Sequence, residues 1–465
     1  MWDLILKGGH VVDPLNNRNG VMDVAIENGK IAAVGDSLSG KARAVVDCEG
    51  RLVIPGIIDP HLHLGSVFGG PHGFRMAALS GVTTCLDMAG PLDDILAHGH
   101  TDGAGINVAI MDGFDPDGLY QTKNPNREQI KRYIDSAIEG GAVGVKLLGG
   151  HWPLDVEACR KTIELSYENK NFVAWHAGSL TSRSDLTGMR EAVATADGLP
   201  LHLAHVNSYC RGHIKSPQEE ADEAIDLLKK NPNIWGEAYL SALNGTNIDA
   251  NDDGSLPDYV TRCCLEIFKL PVNKEGIRQA FRQGLLYLLL DTGRVADIWE
   301  GEKGLAQWEA QGCKGMGCFT VNPAVSRMML CSAKRDDGSF VVDSISTDGG
   351  CVPRNVIAAM GLNLVKFGAI TLSEFVMKSS LNAAKHLRLH DRGHFSEGAA
   401  ADIAVVDFDR AKVVETYVNG CLTMKDGRLY GSGMTLVTTE KGVKAAKDHG
   451  YDTIVVDLSD LGKVR

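Results

Sequence analysis

Two histidines, His61 and His63, are separated by one leucine and follow an apolar run in PGIIDPHLHLG (residues 55–65), with Asp59 just before them. On extended backbone, residues i and i+2 share a face, so both imidazoles can reach one ion. Imidazole nitrogen suits zinc and related divalent metals, and a carboxylate can complete such a set. Further along, other apolar runs end in comparable groups: Lys146 in AVGVKLLGG, His176 in NFVAWHAG, His205 in LPLHLAHVNS and Asp348 in VVDSISTDGG. One strand-end histidine is ordinarily structural. Four histidines and an aspartate on successive runs point to a metal site. His202 shares the LHLAH run with His205 and competes with it on spacing alone. Lys146 reads two ways. It either reaches the rim with its ammonium in water, or it is a buried amine of depressed pKa that takes up carbon dioxide as an anionic, metal-bridging carbamate.

Groups so distant in sequence meet only if strand ends converge. Strand-like runs (GVTTCLDM, INVAIMDGF, GAVGVKLLG, NFVAWHAG, LPLHLAHV, IWGEAYL, SFVVDSISTD) alternate with helix-like ones such as REQIKRYIDSAIEGG and PQEEADEAIDLLKKN. That alternation implies a parallel sheet. Roughly eight units fit residues 56–394, which predicts an α/β fold of the (β/α)8 TIM-like barrel type, with functional groups at the C-terminal strand ends. Residues 1–55 and 395–435 show short β-branched runs with NG and GG turns. They predict antiparallel strands in a small β-sandwich domain built from both chain ends. Residues 245–330 fit no barrel unit and read as insertions, loops over the barrel mouth. The tail, 436–465, holds a helix-like and a strand-like run and is expected to dock on the body or on a neighbouring subunit.

The chain has 465 residues, 44% hydrophobic and 23% charged, with a net charge of -12. An acidic chain without a basic block is unsuited to nucleic acid or anionic membrane. No apolar window approaches a membrane span, and no signal peptide is read at the start. The 11 cysteines form no paired framework and no CxxC motif. The expected location is the reducing cytoplasm, and the expected partner is a small-molecule substrate.

The ordered set HLH, GVK, a strand-end His, HVN and STDGG, with VIPGIIDPHLHLG before it and SEGAAADIAVVD after it, resembles the amidohydrolase superfamily over most of the chain. A lysine on the fourth strand marks the binuclear branch of dihydroorotases, hydantoinases, allantoinases, isoaspartyl dipeptidases and deacetylases. The resemblance implies two divalent metal ions, zinc by family habit. It implies that His61, His63 and Asp348 hold one, that His176 and His205 hold the other, and that Lys146, carboxylated by CO2, bridges them with a hydroxide. It favours His205 over His202. Asp348 is then the proton carrier for cleavage of a C–N amide bond in a small cyclic amide or N-acyl compound, and a homo-oligomer is the family habit.

Candidate substrate contacts lie in mouth-facing loops: His72, Arg75, His151, Asn207, Ser208, Arg211 and Tyr239, with Trp152, Asn244 and Arg354 nearby. Ser208 stands where isoaspartyl dipeptidases carry an arginine. Gly349 and Gly350 follow Asp348 where hydantoinases favour a histidine, which resembles the deacetylase side. Two alternatives stand beside this reading: a mononuclear deaminase, disfavoured by Lys146, and a non-catalytic scaffold relative, disfavoured by the complete ligand set.

Overall fold

The computed structural model describes residues 1–65 and 70–461; the last four residues of the predicted tail lie outside that range. Its centre is a ring of parallel strands. In chain order these are Ile57–His63, Val82–Ala89, Ala104–Gly113, Gly144–Leu148, Phe172–His176, Leu201–Leu203, Ile234–Tyr239 and a split eighth strand, Ser344–Ser346 plus Gly349–Gly350. Each pairs with the next. The eighth closes the ring, because Ser344–Ser346 pairs with the seventh strand and Gly349–Gly350 with Leu62 and His63 of the first.

Alternation along each strand sorts side chains between two cores. Val145 and Leu147, like Val173 and Trp175, join the large core beneath the helices. Ala174, Leu86, Met88 and Met111 join a second cluster with the tail residues Val437, Val456, Leu458 and Leu461. The tail docks on the body: Gly433–Thr438 runs parallel to the start of the third barrel strand and pairs with Thr453–Val455. The two helices anticipated from periodicity span Arg127–Glu139 and Pro217–Lys230, and each opens with a reciprocal capping box, Asn126 with Gln129 and Ser216 with Glu219.

Both chain ends share one nine-stranded sheet. Tight turns at Asn28-Gly29, Asn419-Gly420 and Asp426-Gly427 have positive φ at both residues, the geometry that matches strand twist in hairpins. Two expectations need correction. The first strand, Trp2–Asp13, pairs in parallel with Ala42–Asp47 and Leu52–Pro55, because the chain crosses over the intervening hairpin before returning. The Gly8-Gly9 pair is a mid-strand register shift instead of a turn, and a Cβ on Gly9 would fall 2.4 Å from Val53 Cγ2.

The 245–330 region is more ordered than loops. Asn244–Asn247, Leu286–Asp291, Ala296–Trp299 and Met316–Phe319 form an antiparallel sheet. It has its own apolar core, including Leu265, Phe281 and Trp308. Among the described residues no helix is long and apolar enough to cross a membrane, and all eleven cysteines are free thiols.

Candidate metal centre and active site

The strand ends deliver their polar residues to one chamber at the C-terminal end of the ring, and His61, His63, Lys146, His176, His205 and Asp348 all line it. Ligand atoms of His61, His63 and Asp348 lie within 4.8 Å of one another. His63 Nε2 is 2.9 Å and His61 Nε2 3.4 Å from Asp348 Oδ1. On the other side, His176 Nδ1 and His205 Nε2 face each other at 3.1 Å. The His61 and His205 rings stack at 5.1 Å between centroids, which joins the two groups.

Outer contacts turn these nitrogens inward. Ser184 Oγ meets His176 Nε2 at 2.7 Å, leaving Nδ1 for the chamber. Ser208 Oγ meets His205 Nδ1 at 2.7 Å, leaving Nε2. Glu237 Oε1 takes His61 Nδ1 at 2.6 Å, leaving Nε2. Such outer partners set which nitrogen is offered to a cation. Burial, reinforced by Lys146, pushes His61 down to about 4 despite Glu237 and Asp348, so its ring is neutral, the form that ligates metal.

Arg354 grips Asp348 twice. Its Nη2 sits 2.6 Å from Oδ2, and its Nε donates to the Asp348 carbonyl. Burial alone would raise this carboxyl, but Arg354, then His61 and His63, hold it well below the usual range. His205 and Asp348 both adopt left-handed backbone, with φ of 34° and 48°. Non-glycine residues hold that conformation when the surroundings over-determine it, commonly at functional sites. Asp59 supplies part of that restraint: its Oδ1 accepts the N–H of His61 and of Thr347, each at 3.1 Å, and so ties the first strand to the eighth.

Lys146 points into the ring and is 1% exposed. Its Nζ donates to the Met88 thioether at 3.0 Å, a weak acceptor, and makes no ion pair among the described residues. Burial pushes it down to about 8, although Glu237, Asp348 and Asp87 favour its charge. The reading of a side chain at the rim with its ammonium in water is therefore wrong: the amine is enclosed and cut off from solvent.

Of the expected substrate contacts, His151, Ser208 and Arg211 line the chamber. Asn244 and Arg354 line it as well, whereas His72, Arg75, Trp152, Asn207 and Tyr239 are absent from its lining. His72 is buried, with Nε2 3.3 Å from the Cys351 carbonyl, and Arg75 is half-buried on the helix Gly73–Leu79. Asn207 Oδ1 accepts the Tyr239 N–H at 2.9 Å, an inter-strand tie. Tyr239 is buried, and its hydroxyl accepts from Arg211 at 3.1 Å. His72, Asn207 and Tyr239 thus engage neighbouring protein groups by hydrogen bonds. His202 lies behind the site, with Nδ1 3.2 Å from His386 Nε2, and is absent from the chamber wall. Gly350 has φ of +67°, and a Cβ there would lie 1.9 Å from the His63 carbonyl oxygen. Ring closure requires this glycine, so it says nothing of substrate.

Sequence reasoning missed Glu237, Ser184 and the chamber's apolar wall, Val260, Ile267 and Met316, which the inserted sheet and its helix Tyr259–Ile267 provide. A signal for Glu237 existed: a glutamate inside the strand-like run IWGEAYL, where a buried carboxylate is costly unless its hydrogen bonds are met.

The Amidohydrolase family model matches residues 322–429. A dihydroorotase from Acetivibrio thermocellus is 44% identical over 454 residues, covering 89% of this chain and 91% of that protein. Two solved structures share the fold: N-acyl-D-glutamate deacylase from Bordetella bronchiseptica, complexed with zinc and a phosphonate inhibitor (TM-score 0.66, 16% identity, 93% and 98% of the two chains), and dihydropyrimidinase from Brevibacillus agri NCHU1002 (TM-score 0.62, 16% identity, 93% and 97%). With a relative of that identity and coverage, a shared barrel and a converging ligand set, this chain belongs to the amidohydrolase family, on its binuclear branch.

Proposed function

We propose that this protein hydrolyses the C–N bond of a small cyclic amide or N-acyl compound at a binuclear centre, with His61, His63 and Asp348 holding one divalent metal and His176 and His205 the other. The observation that carries this is the convergence of inward-facing nitrogens and one carboxylate oxygen on a single chamber. The nitrogen-rich donor set suits zinc. Lys146, enclosed and with no oxygen partner among the described residues, is the amine that carboxylation would turn into an anionic ligand for the two ions. The dihydroorotase relative favours the cyclic amide.

Bound metals supply Lewis acidity and an activated water. Asp348 takes the proton from the attacking water as its oxygen bonds to the carbonyl carbon, and passes that proton to the nitrogen as the C–N bond breaks. Arg354 occupies Oδ2 and so leaves Oδ1 facing the chamber for this work. Arg211 is held by neutral groups, Asn322 at 2.8 Å and Asn244 at 2.9 Å, with no ion pair among the described residues. Its charge suits an anionic or carbonyl oxygen of the substrate, in a chamber that His151, Ser208 and the apolar wall also line.

The test is metal content together with turnover. Protein prepared with zinc and bicarbonate should hold two equivalents per chain and hydrolyse members of a panel of dihydropyrimidines, hydantoins, lactams and N-acyl amino acids of both hands. One equivalent would favour a mononuclear deaminase, and none a scaffold protein; either overturns the proposal. Asp348→Asn should keep most of its metal yet lose roughly 10²–10⁴ in turnover; unchanged turnover removes it as proton carrier.

A further inference from the structure

Glu237 is fully buried inside the barrel, on the seventh strand, where such barrels are packed with apolar side chains. Four groups converge on its carboxylate. Oε1 accepts from His61 Nδ1 at 2.6 Å and from the backbone N–H of His205 at 2.5 Å. Oε2 accepts the Ser346 hydroxyl. His202 Nε2 lies 3.8 Å from Oε1. One side chain thus touches the first strand, the turn after the sixth and the eighth strand.

A buried carboxylate is costly unless its hydrogen bonds are met, and these are met by the residues the metal centre needs. The geometry points to Glu237 as a positioning residue for both halves of that centre. It fixes His61 with its proton on Nδ1, so that Nε2 faces Asp348 and the chamber. It also pins the left-handed turn at His205, whose ring belongs to the other half. His176 and His205 lean on the hydroxyls of Ser184 and Ser208; His61 leans on a full negative charge, which makes its imidazole the stronger donor toward a cation. The inference rests on the proposed ligand roles of His61 and His205.

Glu237→Gln preserves shape and an acceptor for His61 while removing the charge. Zinc dissociation constants from chelator competition should weaken by about 10- to 100-fold in this variant, while the urea midpoint of the metal-free protein moves little. In a His61→Ala background the same substitution should change zinc affinity less than about 2-fold, because its route of action is gone. Nitrogen-15 spectra of the metal-free wild type should show His61 protonated at Nδ1, a readout that needs no variant to fold. Zinc affinity unchanged in Glu237→Gln, losses that add fully to those of His61→Ala, or a proton on Nε2 of His61 would each overturn the inference. A wild type that takes up no zinc overturns the metal reading itself and the inference with it, whereas loss of the Glu237 effect alone leaves that reading standing.

Discussion

Lys146 and Lys378 are both enclosed, 1% and 0% exposed, and burial pushes each down to about 8. Their surroundings differ. Lys378 donates to the Val342 carbonyl and lies 4.0 Å over the Phe340 ring. It has a hydrogen-bond acceptor and an aromatic face that tolerate a cation. Among the described residues Lys146 has only a thioether within hydrogen-bonding distance, and the charged groups that act on it are the carboxylates Glu237, Asp348 and Asp87. Burial with a lowered proton affinity is therefore no mark of function by itself. What sets Lys146 apart is its place among the strand-end groups that converge on one chamber.

The sharpest way to break this contrast is to remove each amine in turn. Lys146→Ala should lose binuclear loading and roughly 10³-fold or more in turnover, since several kcal/mol of metal-derived stabilisation go with it. Millimolar short carboxylic acids should restore part of the activity by standing in for the carbamate. Carbon-13 bicarbonate should label Lys146 and leave Lys378 unlabelled. Full activity in Lys146→Ala, or a label on Lys378, would erase the distinction.

Next in size is the companion change. Lys378→Met should keep two metals and turnover within about 2-fold, with stability altered by no more than about 2 kcal/mol, because an apolar side chain of similar length replaces a buried polar one. Metal loss in this variant, measured per chain, would show that the second lysine also serves the centre.

The same contrast explains what the sequence could disclose. Lys146 stood out because it ends an apolar strand, and His61, His63, His176, His205 and Asp348 stood out likewise; strand order then placed them together. Lys378 sits in a helix-like run, SEFVMKSSL, and its burial follows from packing that no local pattern states. Glu237 carried a weaker signal, a glutamate in the middle of the strand-like run IWGEAYL instead of at its end. The inserted sheet was hidden because Asn244–Asn247 pairs with Met316–Phe319 across some seventy intervening residues, and such pairing leaves no local signature. His72, Arg75, Asn207 and Tyr239 had the right type and neighbourhood, but tertiary contacts such as that of Asn207 with the Tyr239 N–H set where a side chain faces, and no local pattern states them.

The finest test is the pH dependence of stability. In the folded protein Lys378 titrates near about 8, against 10.5 for its ordinary value. Between those limits the unfolded chain binds more protons than the folded one, so stability rises with pH, by at most ~1.4 kcal/mol per pH unit for one group. Below about 8 both states are protonated and the burial penalty is fully present; above 10.5 both are neutral and it is gone. Urea unfolding of wild type and Lys378→Met at pH 7.5 and 9.5 isolates this group, because every other titration is common to both proteins and cancels. The wild type should gain about 1–2 kcal/mol more than the variant over that interval. Equal gains would mean that the Phe340 face and the Val342 carbonyl already hold Lys378 as a comfortable cation, and that the two lysines differ in proton affinity as well as in partners.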